Sequence, residues 1–555
     1  MGLSVMLHLL RYRELVVVHY SGVPCALHLQ HAQQSLNVGS TIMPDKIPTI
    51  AEACITIDSH RSWIGYAALQ HALGCEAPLR ERCAVSSGHV HGSVRLDKGI
   101  RLYDQRYRPN NDVAGHLFFS LKHETLDLLV LKEILVCLGG ETITEIVQTY
   151  RQKQLARKLW FLYEWLTAER LPLDDAETRI RYVPILDSTH YFTGSNRPSA
   201  RHRIIDNLPG NRSFCPLIHK TAVLQKFIAL DLSDKVRKVM GRASRDVWRR
   251  AASFLLLADS RASFAIEGER PPRNRIERWA QVIQKSGNRP LSMTEILNMH
   301  GALIQDHRFV TAGFRTEGVF LGERDRNGEP QPEFIGARPQ DIESLVKGLV
   351  DSHRIMAEAS IDPVIHAAAI AFGLVFIHPF EDGNGRMHRA LIHQILTERS
   401  FAPPGIVFPV SAVILERIEE YQRILREYSS PLMHSIQWQP TEKGNIEVLN
   451  DTADLYRYGN YTAIAEFLYH AVEQTISELL PKEVHYLTCY DKARKAIGNR
   501  IDMPANQIRN LIMFITQNDM KLPLRRRQKE FAALSDEEVL AIESDVAQAF
   551  SVQEK

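Results

Sequence analysis

The chain has 555 residues, 45% of them hydrophobic and 24% charged. That balance is ordinary for a globular protein and excludes a disordered one, while the length exceeds one compact domain and implies about two to four. Lys and Arg number 67 against 65 Asp and Glu, so the net charge of +2 argues against a surface devoted to nucleic acid or membrane and leaves room only for a local basic patch.

Residues 1–42 are apolar in places but broken by Arg11, Arg13 and Glu14. The run VVVHY is too short to span a bilayer, and no apolar region with a small-residue cleavage site follows the basic residues. No membrane partner is expected, and the composition shift at Met43 marks 1–42 as a candidate N-terminal extension. Seven cysteines without a CxxC pair fit a reducing compartment, and the chain is read as cytoplasmic. His71, Cys75, Cys83, His89 and His91 gather in a short stretch, but their spacing matches no common zinc pattern, so they are read as ordinary side chains.

Residues 43–170 are predicted to form a mixed, mostly helical region. Apolar residues recur three and four apart in ETLDLLVLKEILVCL and in QKQLARKLWFLYEWLTAERL. In the second, Trp160, Phe161, Tyr163 and Trp165 have the spacing of core packing rather than of a base-stacking platform. Residues 171–240 open with a stretch rich in Pro, Asn, Ser, Arg and Asp without a period, and are read as a linker or arm. Helical patterning then runs to Pro271-Pro272, which cannot continue a helix. Further helices are predicted near 292–306 and 339–357, and between them 314–338 reads as a long hairpin. Helical signals dominate the remainder, 436–555.

The chemistry concentrates in IDPVIHAAAIAFGLVFIHPFEDGNGRMHRALIHQILTERS. Asp362 is a good N-cap and Pro363 suits the first helical position. The apolar run Ala367 to Ile377 predicts a helix surrounded by others, ending at His378. A second helix should begin near Asn384 or Gly385, with Met387, Leu391 and Ile395 as its buried stripe. Gly383, Asn384 and Gly385 at a helix start suit a main-chain nest for an anion. Arg386 and Arg389 lie on nearly one side of that helix and suit a polyphosphate clamp. Asp382 is suited to a magnesium ion, and His378 to a base that is neutral near physiological pH.

The string His378-Pro379-Phe380-Glu381-Asp382-Gly383-Asn384-Gly385-Arg386-Met387-His388-Arg389 fits HxFx(D/E)GNGRxxR at every fixed position. This is the signature of the Fic family, which the chain resembles most specifically over about 245–435, so that 241–435 is assigned as a Fic domain. The resemblance implies a mainly α fold: a Fic-type helical bundle with a β-hairpin flap at about 314–338, flanked by additional mostly helical domains. It implies a protein adenylyltransferase moving AMP from ATP, with Mg2+, to a Ser, Thr or Tyr hydroxyl of a protein partner.

In that scheme His378 deprotonates the hydroxyl, Asp382 binds the metal, and Gly383, Asn384 and Gly385 cradle phosphates. Arg386 and Arg389 meet phosphate charge, and Phe380 anchors the loop. Gly313, Phe314 and Arg315 resemble the approach to the flap, and Phe334 and Ile335 are its candidate target contacts. Tyr421 is the candidate aromatic of the adenine pocket. Ser263-Phe264-Ala265-Ile266-Glu267-Gly268 matches (S/T)xxxE(G/N), the inhibitory helix of the family, here about 245–268; Ser263 and Glu267 share a helical face, and Glu267 would pair with Arg389.

Other readings stay open. Removal of AMP uses the same site. Phosphate transfer is disfavoured because its Fic relatives carry a Lys-containing loop where Gly385 stands. The C-terminal region suits a winged-helix-like module whose basic stretch Lys521–Lys529 meets DNA, although a solvated face is preferred there. A homo-oligomer is also left open.

Overall fold

The computed structural model describes residues 47–97, 99–241, 243–304, 308, 310, 312–401 and 407–551. The proposed extension at 1–42 lies outside them. Helices dominate, as the apolar periodicity requires, and the sheets are small. Among the described residues no helix is long and apolar enough to cross a membrane. The described residues divide into two compact units: one takes those up to 225 with those of 289–395 and 418–468, the other those of 226–288, of 396–417 and from 469 onward. The segment 241–435 therefore contributes to both.

In the first unit, short strands build a five-stranded sheet in the order Thr56–Asp58, Arg61–Ile64, Arg82–Ser86, Ile100–Tyr103, Val94–Asp97. Helices Leu128–Thr149 and Gln154–Thr167 pack on one another and bury Leu131, Ile134, Leu159 and Trp160 in one hydrophobic core. The longer of the two is interrupted at Gly139, whose φ of 74° is left-handed. Trp160 and Tyr163 are core residues, and the Arg201 guanidinium lies 4.8 Å from the Trp160 ring centroid.

Residues 171–240, expected as a linker or arm, carry a three-stranded sheet, Val183–Pro184, Ile204–Asp206 and Arg197–Ser199 in that order. Its neighbourhood is fastened to the aromatic helix through Glu164, which accepts from Arg201 at 2.8 Å and meets His202 at 3.0 Å. Ile204, Leu208, Phe214 and Cys215 are buried. Cys215–Leu217 then pairs in parallel with Tyr458–Asn460. The periodic signal is weak here because such strands are two or three residues long and held by distant partners.

The second unit contains helix Arg245–Ala265, capped by the Ser244 hydroxyl, which accepts from Val247 N–H at 3.3 Å. Asp259 on this helix accepts from the Ser411 N–H at 2.6 Å in a buried position. Helices Leu480–Arg500, Ala505–Thr516 and Asp536–Phe550 enclose Ile497, Leu511, Ile512, Ile542 and Val546. In the basic stretch, Lys521 donates to Glu543 at 2.8 Å, Arg526 pairs with Glu530, and Arg527 with Asp536. Three of its cations thus have local carboxylate partners.

Candidate active site

Helix Pro363–Ile377 starts as its sequence dictates: the Asp362 carboxylate accepts from the N–H groups of Val364 at 2.9 Å and Ile365 at 3.2 Å. Nearly every residue of this helix is buried, so its C-terminus lies in the core. His378 closes it in a left-handed conformation, φ 55° and ψ 58°, with its N–H on Leu374 O at 2.9 Å. Its ring Nδ1 lies 3.2 Å from Val375 O. A carbonyl only accepts, so Nδ1 carries the proton and Nε2 the lone pair. Burial, reinforced by the nearby Arg315 charge, lowers the His378 pKa to about 4. The imidazole is therefore neutral at physiological pH, with a basic nitrogen to offer.

Helix Asn384–Glu398 follows across the loop 379–383. Its first turn is tied by Met387 N–H to Gly383 O at 2.8 Å, and the N–H groups ahead of that bond lie at the positive end of the helix dipole. Gly383 has a φ of 84°, a left-handed conformation that strains any larger residue, and a Cβ there would stand 2.6 Å from Leu303 Cδ2 and push that methyl aside. Its N–H turns onto Asp382 Oδ1 at 2.7 Å, and the same oxygen accepts from Arg386 Nη2 at 2.9 Å. The Asp382 side chain is 46% exposed while the Arg386 side chain is fully buried. Arg389, one turn on, is also buried.

The Asn384 side chain has a part of its own beside the main-chain nest expected of it. Its side-chain Oδ1 accepts from Phe380 N–H at 2.9 Å and its Nδ2 donates to Phe380 O at 2.7 Å. The amide braces the loop, leaving only its main chain to join a phosphate cradle. Phe380 is itself fixed by a parallel stack on His300, with ring centroids 3.8 Å apart, while the His300 Nε2–H donates to Asp382 O at 3.1 Å. This agrees with an anchoring role for Phe380.

The hairpin pairs Phe320–Arg324 with Pro330–Ile335 in antiparallel register, Phe320 opposite Ile335 and Leu321 opposite Phe334, with an irregularity between Leu321 and Gly322. Phe334 lies 5.8 Å from the His378 ring. Ile335, assigned with it as a target contact, is corrected by its surroundings. Its side chain is buried, its N–H meets Met433 Sδ at 3.3 Å and its carbonyl accepts from Tyr456 Oη at 2.7 Å, so it roots the hairpin. Tyr421, the candidate adenine contact, is buried on helix Ile418–Met433, stacked 6.2 Å from His388 and edge-on to Phe372 at 6.3 Å. Burial lowers the pKa of His388 to about 3, making it a neutral core histidine.

A residue whose role the sequence did not reveal is Arg315. It is buried and donates only to main-chain oxygens: Nε to His378 at 2.7 Å, Nη1 to Glu317 at 2.7 Å, and Nη2 to Ala337. Its own N–H bonds Pro379 O at 3.0 Å. It thus joins both roots of the hairpin to His378. Gly336 allows this closure, because a Cβ there would approach Arg315 Nη2 to 2.9 Å and His378 Cβ to 3.0 Å. The signal was an Arg at the mouth of an apolar, β-prone segment.

The model of the Fic/DOC family matches residues 290–396. This stretch is a Fic domain. The chain is similar to protein adenylyltransferase fic-1 of Caenorhabditis elegans, with 32% identity over 121 residues, 22% of this chain and 22% of the relative. A Fido domain-containing protein of Dictyostelium discoideum is 29% identical over 169 residues, covering 30% of this chain and 99% of that protein. Among solved structures, a Fic domain-containing signaling protein from Bacteroides thetaiotaomicron aligns with 46% of this chain and 95% of its own, at 18% identity and a TM-score of 0.33. The match to the worm enzyme spans about a fifth of that protein's length.

Proposed function

We propose that the chain is a protein adenylyltransferase that transfers AMP from ATP to a Ser, Thr or Tyr hydroxyl of a target protein. The observation that carries this reading is the neutral, Nδ1-protonated His378 held at the start of the loop that leads to the Gly383 and Arg386 anion site. The hydroxyl oxygen attacks the α-phosphorus of ATP, the bond to the pyrophosphate oxygen breaks, and His378 Nε2 takes the hydroxyl proton. The first-turn N–H groups and the buried Arg386 charge stabilise phosphate charge.

For magnesium, the half-exposed Asp382 carboxylate fits. Among the described residues no group of three or more His, Cys, Asp or Glu could hold a metal alone, and a single carboxylate that shares the ion with phosphates and water is the usual manner of Mg2+ binding. Bound there, Mg2+ would supply charge neutralisation on the phosphates. Asp382 is itself oriented by the Gly383 N–H and Arg386.

In the same reading Glu267 restrains the enzyme. Ser263 is buried in the last turn of helix Arg245–Ala265, and the Glu267 N–H bonds Phe264 O at 3.0 Å in the turn that follows. The motif Ser263 to Gly268 supports inhibition by a Glu267–Arg389 pair.

The test is to incubate the Glu267→Gly protein with a lysate and ATP labelled at either the α- or the γ-phosphate. Protein label from the α-position only, absent with Glu267→Gly/His378→Ala, is expected. Label from the γ-position alone would replace AMP transfer by phosphate transfer.

A further inference from the structure

Far from the Fic signature in sequence, two cysteines meet. Cys75 follows Gly74, the left-handed cap of helix Gly65–Leu73, and Cys137 lies on helix Leu128–Thr149. They are 62 positions apart in the chain, yet their Sγ atoms stand 3.4 Å from one another. The approach is braced. One turn before Cys137, the Glu133 carboxylate accepts from the N–H groups of Glu76 at 3.0 Å and Ala77 at 2.7 Å, fastening the segment after Cys75 to the helix that carries Cys137.

The two thiols are not equivalent. Cys137 is exposed and Cys75 is partly covered. A hydrogen bond from Cys75 favours the Cys137 thiolate and lowers its pKa to about 7; the same bond, followed by burial, pushes Cys75 up. Cys83, Cys215 and Cys489 are buried.

We propose that Cys75 and Cys137 form a thiol–disulfide exchange site for small disulfides of the glutathione class, closing to an internal disulfide. The exposed Cys137 thiolate attacks one sulfur of oxidised glutathione. The glutathione S–S bond breaks, one glutathione leaves as a thiolate and takes a proton from water, and Cys137 carries the other in a mixed disulfide. With the Cys137 charge gone, Cys75 gives its proton to solvent and attacks Cys137 Sγ. The second glutathione leaves. Two cysteine thiols are oxidised to one disulfide while one oxidised glutathione is reduced to two thiols. The new bond closes a long loop, which constrains the unfolded chain and raises the melting temperature.

The experiment equilibrates the full chain with graded mixtures of reduced and oxidised glutathione, then digests it without reduction for mass spectrometry. A Cys75–Cys137 cross-link that accumulates with oxidation, alongside free Cys83, Cys215 and Cys489, is expected. Cys75→Ser should instead trap glutathione on Cys137, and Cys137→Ser should leave Cys75 unmodified at the same poise. In a second measurement, the pH midpoint of Cys137 alkylation should lie near 7 in the wild type and rise by roughly 1 unit or more in Cys75→Ser, as loss of the hydrogen bond returns it toward an ordinary thiol. The proposal is overturned if oxidised glutathione alone yields no such cross-link, if another pair forms in its place, or if Cys75→Ser leaves the alkylation midpoint of Cys137 unmoved.

Discussion

Arg315 Nε donates to the main-chain oxygen of His378 at 2.7 Å, so His378 is held by its backbone from the root of the hairpin. Replacing Arg315 by Met strands two buried carbonyl oxygens, those of His378 and Ala337, and frees the partly buried one of Glu317. At about 1–3 kcal/mol for each unsatisfied buried group, a loss of about 2 kcal/mol or more is expected in denaturant unfolding of the folded protein. AMP transfer should fall at least about tenfold under conditions where the variant remains folded, because a small misplacement of a base is costly. Full stability in Arg315→Met would show that water or rearrangement replaces the brace.

Asn384→Ala removes both side-chain bonds to Phe380. Two buried hydrogen bonds correspond to about 2 kcal/mol, and the loop that shapes the phosphate site should loosen. Calorimetry with ATP is expected to show weaker binding by roughly tenfold or more, with Asn384→Asp intermediate because it keeps the acceptor but not the donor. Unchanged affinity in the Ala variant would mean that the loop keeps its shape without the amide.

The depressed pKa of His378, about 4, sets the pH profile. The neutral imidazole accepts a proton, so transfer limited by this base should stay level from pH 8 down to about 5.5 and fall only below, rather than declining around 6.5 as for an exposed histidine. Stability runs in the same direction. The unfolded histidine binds a proton below about 6.5 while the folded one resists until about 4, so this contribution is present above 6.5 and lost as pH falls toward 4. His116, also lowered to about 4 by burial, and His388, lowered to about 3, add to it. An activity midpoint near 6.5 in single-turnover measurements would place the limiting base elsewhere.

Glu267→Gly should raise AMP transfer by at least tenfold, and Glu267→Gly/Arg389→Ala should lose most of that gain, since two residues acting as a unit are not additive. Gel autoradiography with α-labelled ATP measures both. If the double variant keeps the full gain, Glu267 acts without Arg389.

Much of the site was legible because its signals are local. Asp362, Pro363 and the apolar run to Ile377 fix a helix and the position of His378 at its end. The β-prone runs around Gly328 and Pro330 mark a hairpin. What escaped depends on partners remote in sequence. The Arg315 side chain reaches 63 positions along the chain to His378, and residue type reveals a donor but not which carbonyl it meets. Ile335 was a candidate target contact through resemblance alone, and a hairpin pattern does not reveal that Met433 and Tyr456 engage its main chain. The sheet over residues 56–103 uses strands of three to five residues, too short for a period of two to stand out.

The parallel pairing of Cys215–Leu217 with Tyr458–Asn460 also bears on biosynthesis. The ribosome delivers the first strand roughly 240 residues before its partner, which at about 5–20 residues/s is an interval of roughly 12–50 s. Throughout it the nascent chain exposes an apolar strand whose main-chain edge has no neighbour, the kind of surface that chaperones hold and that associates when they do not. A polypeptide stopped after residue 435 is therefore expected to sediment as aggregate or co-purify with chaperones, though its Fic signature is intact.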